Sequence, residues 1–234
     1  MDESELDETG PSIFSSTWAV ITVAFAACAI ACAGSAALSQ TGEIMIAIER
    51  MAVGSLPDGF DFARTGQGGP SQWAVTADST ATGGRAIEQT STDRTDYRFP
   101  LAIHRETSAQ NVDVAVRFKA VGGKVDQAAG IALRVRDANN YYVVRANALE
   151  DNVRFYRVVD GRREQLEGVD IKVSANEWHA LGLRAEGDRF TIVFDGRQLF
   201  SASDRTFTGA GKIALWTKAD SVTRFDQIKI KTLP

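Results

Sequence analysis

Along most of this chain apolar and polar side chains alternate. In residues 112–119, Val112, Val114, Val116 and Phe118 take every second position, with Asp113, Arg117 and Lys119 between them. A period of two puts one set on each side of a strand, so the segment predicts a strand buried on one face only, as in antiparallel sheets. From Trp73 onward, short apolar runs of this kind are broken by polar turns roughly every 8 to 12 residues, the spacing of a sandwich or barrel. Turn signals fall at Asp137-Ala138-Asn139-Asn140, Leu149-Glu150-Asp151-Asn152, Asp160-Gly161, Glu186-Gly187-Asp188 and Asp195-Gly196. The two Asp-Gly pairs favour the positive φ that tight hairpins require. Between Pro100 and the terminal Pro234 there is no proline, as expected of strands whose N–H groups serve a ladder. The pattern predicts an all-β fold, a two-sheet antiparallel β-sandwich.

Three segments follow. Residues 73–234 form the sandwich. Residues 40–72 read as a connector, because Leu56-Pro57-Asp58-Gly59 and Thr65-Gly66-Gln67-Gly68-Gly69-Pro70 are rich in glycine and proline. Residues 1–39 read as a signal peptide or membrane anchor: residues 13–38 carry no charge, enough for a hydrophobic helix that spans a bilayer. The small residues Gly34 to Ser39 resemble a signal-peptidase site, while the leader before them is acidic, with five carboxylates and no Lys or Arg. Export with cleavage, an uncleaved anchor and lipidation at Cys32 are the three readings, all of them extracytoplasmic. Cys28 and Cys32 are the only cysteines, so the sandwich has no disulfide.

Charge narrows the partners. The whole chain has 26 basic and 30 acidic residues; without the five acids of the leader the balance is 26 to 25, a net +1. Nucleic-acid binding, which needs a basic excess, is not expected, and membrane contact is expected only through residues 13–38. The two histidines, His104 and His179, have no Cys, His or carboxylate at metal-ligand spacing, so no metal ligands are assigned. The paired carboxylates of a glycosidase strand, Glu-x-Asp-x-x-Glu, are absent.

Candidate chemistry lies instead in consecutive hairpins. In residues 130–136, Ile131, Leu133 and Val135 are expected in the core, with Ala132, Arg134 and Arg136 pointing away. With a turn at 137–140, Arg136 pairs Tyr141, Arg134 pairs Val143 and Ala132 pairs Arg145. The next turn pairs Asn147 with Asn152 and Arg145 with Arg154. Arg134, Arg136, Tyr141, Arg145, Asn147, Arg154 and Tyr156 then share one face. Like charges facing each other destabilise a sheet, so either Asp126, Glu150, Asp151 or Glu177 pairs with them, or a hydroxyl- or carboxylate-rich ligand does. Trp216 and Lys218 join the face opposite Ile213 and Leu215, and a tryptophan there can stack on a sugar ring. Trp73 and Trp178 are expected as core anchors.

The run Gly130-Ile131-Ala132-Leu133-Arg134-Val135-Arg136-Asp137-Ala138-Asn139-Asn140-Tyr141-Tyr142-Val143-Val144-Arg145, with Glu177-Trp178-His179, Phe194-Asp195-Gly196 and Trp216 to Asp226, resembles the concanavalin A-like, laminin-G-like jelly-roll modules of bacteria. It is similar in particular to the 3-keto-disaccharide hydrolase domain family, described as family-16 glycoside hydrolase-like, from about residue 56 to 230. The resemblance implies two curved sheets with any ligand on the concave face. It also implies, by analogy with laminin-G-like modules, a calcium ion; the residues themselves call for no cofactor. The keto-sugar enzymes cleave by elimination next to a ketone; Asp126, Glu150 and His179 are the candidate bases. Three functions follow: a carbohydrate-binding module, a 3-keto-glycoside hydrolase or lyase, and an envelope protein that binds another protein.

Overall fold

The computed structural model describes residues 42–234, and the expected signal or anchor lies outside them. The strands β1 (Glu43–Met45), β2 (Phe60–Gly66), β3 (Trp73–Ala77), β4 (Arg85–Gln89) and β5 (Arg98–Ala109) come first. They are followed by β6 (Val112–Gly122), β7 (Ala128–Asp137), β8 (Asn140–Asn147), β9 (Asn152–Val159) and β10 (Arg162–Asp170). The chain ends with β11 (His179–Glu186), β12 (Arg189–Phe194), β13 (Arg197–Ser203), β14 (Gly211–Trp216) and β15 (Val222–Thr232). One sheet has the order β13-β12-β11-β6-β15-β4-β3, with β1 also paired to β15; the other has the order β10-β9-β8-β7-β14-β5-β2. Every pairing is antiparallel. Among the described residues no helix is long and apolar enough to cross a membrane.

The alternation seen in the sequence builds the core between the two sheets. Val112, Val114, Val116 and Phe118 of β6 meet Ile131 and Leu133 of β7, Tyr142 and Val144 of β8, and Phe155 of β9 in one buried cluster. Tyr142 is its aromatic centre, with ring centroids 4.5 Å from Phe190 and 5.2 Å from Phe207. Both Asp-Gly signals become two-residue hairpin turns. Asp160 and Gly161 have φ of 48° and 76°, and Asp195 and Gly196 have 46° and 76°, so both central residues are left-handed, as a primed turn demands.

Two expectations are corrected here. Residues 40–72, expected as a connector, give a strand to each sheet: β1 pairs with β15 and β2 with β5. The Gly-Pro run begins only where β2 ends, which is why the strand was hidden in it. Trp73 is a core residue, but Trp178 is not. It lies half-buried beneath Arg117 and Lys119, whose charges are 4.8 and 5.0 Å from its ring, and its Nε1 donates to Thr80 Oγ1 at 2.8 Å. It precedes β11 rather than lying in it, so strand alternation does not decide its face.

Candidate functional site

The outward face of the seven-stranded sheet carries a second buried cluster: Phe99 and Leu101 of β5, Tyr141 and Val143 of β8, Tyr156 and Val158 of β9, and Ala214 and Trp216 of β14. Such a face is normally wet, so something covers it. Arg98 is one reason. Fully buried, it donates to the carbonyls of Gly69, Pro70 and Ala219, at 3.1, 2.8 and 2.8 Å, and so gathers two loops distant in sequence at the start of β5. Arg163 of β10 is another. Its guanidinium lies 4.5 Å from the Tyr156 ring centroid, 4.9 Å from Phe99 and 6.0 Å from Trp216. Tyr97 holds this cap: its hydroxyl donates to the Gly161 carbonyl at 2.9 Å and accepts from the Arg163 backbone N–H at 3.1 Å.

Trp216 is therefore on the predicted face but fully buried. It stacks on Phe99 at 5.2 Å, and its Nε1 donates to the Tyr141 hydroxyl at 3.2 Å, which in turn contacts Thr65 Oγ1 at 2.7 Å. The close approach depends on Gly130, where a Cβ would stand 3.1 Å from the Trp216 ring and 2.7 Å from the Val144 carbonyl. Tyr141 and Trp216 form a floor rather than a contact surface.

Next to this floor lies a polar group. Arg145, 4% exposed, gives its Nη2 to Glu150 at 2.7 Å and to the Tyr156 hydroxyl at 3.2 Å, while its Nε and Nη1 are buried without a partner. Glu150, whose side chain is 44% exposed, also accepts from Asn152 Nδ2 at 3.1 Å, and the Asn152 Oδ1 has no partner. Asn147 donates to Asp126 Oδ1 at 2.8 Å, and Lys218 bridges Asp126 and Asp96 at 2.8 and 2.7 Å. Asp126 is placed by the loop before β7: Asp220 accepts the backbone N–H groups of Lys124, Val125 and Asp126 at 2.8 to 3.1 Å. Arg154 pairs with Asp170 and lies flat over Gly168, where a Cβ would come within 2.3 Å of its Cδ.

The register Arg145 to Arg154 and Asn147 to Asn152 is as the sequence predicts. That of β7 is not. Gly130, rather than Ala132, faces Arg145, and Ala132 faces Val143, because a bulge between Leu133 and Asp137 takes up residues. Arg134 sits in it with φ of 51° and turns away from the proposed face. Buried, it donates to the carbonyls of Gln110, Phe207 and Gly187, tying three loops together. Arg136 is exposed and stacks on Phe207 at 4.7 Å. Arg134 and Arg136 thus leave the group, and Tyr141, Arg145, Asn147, Arg154, Trp216 and Lys218 remain. Of the acids expected to answer the arginines, Glu150 does so for Arg145 and Asp126 answers Lys218; Asp151 pairs with Lys172 instead. Arg163 and Asp170 were missed, although carrying the alternation past Asp160-Gly161 places Arg163 opposite Val158, on this face.

His179 is on the other sheet, with Nδ1 2.7 Å from Asp195 and Nε2 3.1 Å from the Ser174 carbonyl. Among the described residues no three or more His, Cys, Asp or Glu side chains are grouped to hold a metal ion. Burial pushes the Asp126 carboxyl above its usual range, against the pull of Lys218. Burial also raises Glu150, but its bonds with Arg145 and Asn152 outweigh this, and its carboxyl ends below the ordinary value of 4.5. A lowered carboxyl stabilises the fold above its unfolded value, and that contribution is lost as pH falls through the folded one. Urea unfolding between pH 6 and 3 is therefore expected to show a shallower acid loss in Glu150→Gln than in the parent chain; parallel curves would contradict the pairing.

Residues 69–233 match the family described as galactocerebrosidase, C-terminal lectin domain. A stretch of 73 residues is 32% identical to levanase of Bacillus subtilis (strain 168), covering 31% of this chain and 11% of levanase, so the chain spans about a tenth of that relative's length. Among solved structures, the carbohydrate-binding module CBM66 from Bacillus subtilis superposes with a TM-score of 0.56 at 22% identity, over 74% of this chain and 96% of that one. Domain 4 of an extracellular arabinanase from Geobacillus stearothermophilus, in complex with arabinotriose, gives 0.54 at 13% identity, over 82% and 93%. A β-glucanase from Bacillus licheniformis gives 0.52 at 12%, over 83% and 98%. The concanavalin A-like sandwich is thus common to modules that bind sugars and to an enzyme that cleaves them.

Proposed function

The chain belongs to the galactocerebrosidase C-terminal lectin domain family, and from that premise we propose that it is an extracytoplasmic carbohydrate-binding module. We place its sugar site on the outward face of the seven-stranded sheet, at Arg145, Glu150, Asn152, Arg154, Tyr156 and Lys218. One observation carries the reading: the buried Arg145 guanidinium leaves Nε and Nη1 without partners beside a half-exposed carboxylate. Leaving a buried donor unpaired costs about 1–3 kcal/mol, and a ligand rich in hydroxyls removes that cost. A sugar also meets both needs of the site, since each hydroxyl donates to Glu150 or Asn152 Oδ1 and accepts from an arginine. The uncharged run 13–38 supports delivery across a membrane.

The alternative, elimination on a 3-keto-glycoside, needs a free base on this face. Asp126 is held by Asn147 and Lys218, and Glu150 by Arg145 and Asn152, which favours binding over cleavage. The test is a glycan array on the full chain, followed by titration calorimetry on its best neutral glycan. Arg145→Ala is expected to weaken that affinity more than tenfold with Glu150→Gln close behind, while the exposed Arg205→Gln changes nothing. Unaltered affinity in Arg145→Ala and Glu150→Gln would remove the site from this face.

A further inference from the structure

The ion pairs around Arg145 are all oriented alike. Arg145 pairs with Glu150, Lys218 with Asp96 and Arg154 with Asp170, and in each pair the cation is the covered partner. Side-chain exposure is 5% against 44%, 13% against 73% and 20% against 84%. A ligand that approaches this face therefore meets carboxylates first. Each of them uses one oxygen in these contacts. Arg145 and Asn152 both donate to Glu150 Oε2, Lys218 reaches Asp96 Oδ1 and Arg154 donates to Asp170 Oδ1. Glu150 Oε1, Asp96 Oδ2 and Asp170 Oδ2 have no partner among the described residues. Of the open cations on the adjoining loops, Lys172 is spent on Asp151, and Lys124 makes no ion pair among the described residues. That is one positive charge against three open carboxylates.

The register brings two of these acids together. Asn152 stands opposite Asn147 on one side and Asp170 on the other, and Glu150 lies two residues before it in the β8–β9 turn. Asn152 is 6% exposed; its Nδ2 is given to Glu150, and its Oδ1 is buried without a partner. A buried acceptor with no donor, next to an open carboxylate, calls for a ligand group that brings positive charge and several N–H donors. A hydroxyl brings one donor, an ammonium three. We propose that the site prefers a 2-amino-2-deoxy sugar, whose protonated amine is received by Glu150 Oε1 and Asn152 Oδ1 beside Asp170, while the hydroxyl oxygen on the adjoining carbon accepts from Arg145; this deepens, and rests on, the sugar-binding reading of the Arg145 face. A charge-assisted bond is about twice as strong as a neutral one. The same rim repels acidic glycans, since like charges would be brought face to face.

The experiment is calorimetry on the full chain at pH 5.5, where the amines are protonated, with β-1,4-linked tetramers of glucosamine, N-acetylglucosamine and glucose. The glucosamine tetramer is expected to bind at least tenfold more tightly than either neutral one at 50 mM NaCl, with the advantage shrinking at 500 mM as screening grows. Glu150→Gln keeps the shape of the side chain and removes its charge, and is expected to bring the advantage below threefold. Asp170→Asn, at an exposed position, is expected to fold normally and to cut it at least twofold. Equal affinity for the three tetramers, or an advantage that both variants leave intact, overturns the proposal. If neutral glycans on the array bind through Arg145 while none of the tetramers does, the amine preference alone falls. If no glycan binds and Arg145→Ala alters nothing, the sugar-binding reading falls with it.

Discussion

Arg134→Ala is expected to destabilise the protein by about 3 kcal/mol or more, because three carbonyls lose a buried donor at about 1–3 kcal/mol each, and to leave sugar binding by the folded fraction unchanged. Arg134 donates to the carbonyls of Gln110, Phe207 and Gly187, which belong to the β5–β6, β13–β14 and β11–β12 connections. Each carbonyl left without a donor costs about 1–3 kcal/mol if water does not reach it. The strand also bears a left-handed residue at this point, φ 51°, a conformation that costs a residue with a Cβ about 1–2 kcal/mol. The fan of hydrogen bonds offsets that strain. Arg134→Lys is expected to recover only a small part of the loss, because one ammonium cannot reach three diverging carbonyls. Equilibrium urea unfolding monitored by circular dichroism measures this directly. A loss of no more than about 0.5 kcal/mol, the size of a typical surface change, would mean that the three loops hold together without it.

The same residue shows where the sequence stops being legible. Strict alternation gave the right faces for β6, β8 and β9 and the right register between β8 and β9, because nothing there interrupts the period of two. In β7 a bulge around Arg134 breaks it: Asp137 still faces Asn140 beside the turn, but the residues before the bulge, Ala128 to Leu133, are two positions out of the predicted register with β8. Arginine gives no sign of a left-handed backbone, unlike the Asp-Gly pairs, both of which announced their turns. The covering of the outward face was hidden for another reason. It is built by Arg98, Tyr97 and Arg163, which bring together residues 69, 161 and 219, and no local pattern relates segments so far apart. Arg145, Asn147 and Arg154 could be named because they lie on regular strands, and Lys218 because it follows β14 by two residues. The absence of solvent over Trp216 could not.

Trp216→Ala is the second large effect, and it distinguishes a floor from a sugar platform. Were the indole a stacking surface, its loss would cost affinity and spare the fold. The side chain is instead fully buried, stacked on Phe99 and bonded to the Tyr141 hydroxyl. Truncation of a buried tryptophan costs about 3–5 kcal/mol through lost burial and the cavity left behind. Arg163 would also lose one of the three rings beneath its charge, and Tyr141 would keep Thr65 as its only side-chain partner. The expected outcome is a strongly destabilised protein whose folded fraction still binds its neutral glycan. Trp216→Phe is expected to retain most of the stability, because the stack on Phe99 survives while the Nε1 bond does not. Thermal and urea unfolding, read beside calorimetry at a temperature where each variant is folded, separate the two roles. A stable Trp216→Ala variant with abolished binding would return the indole to the ligand.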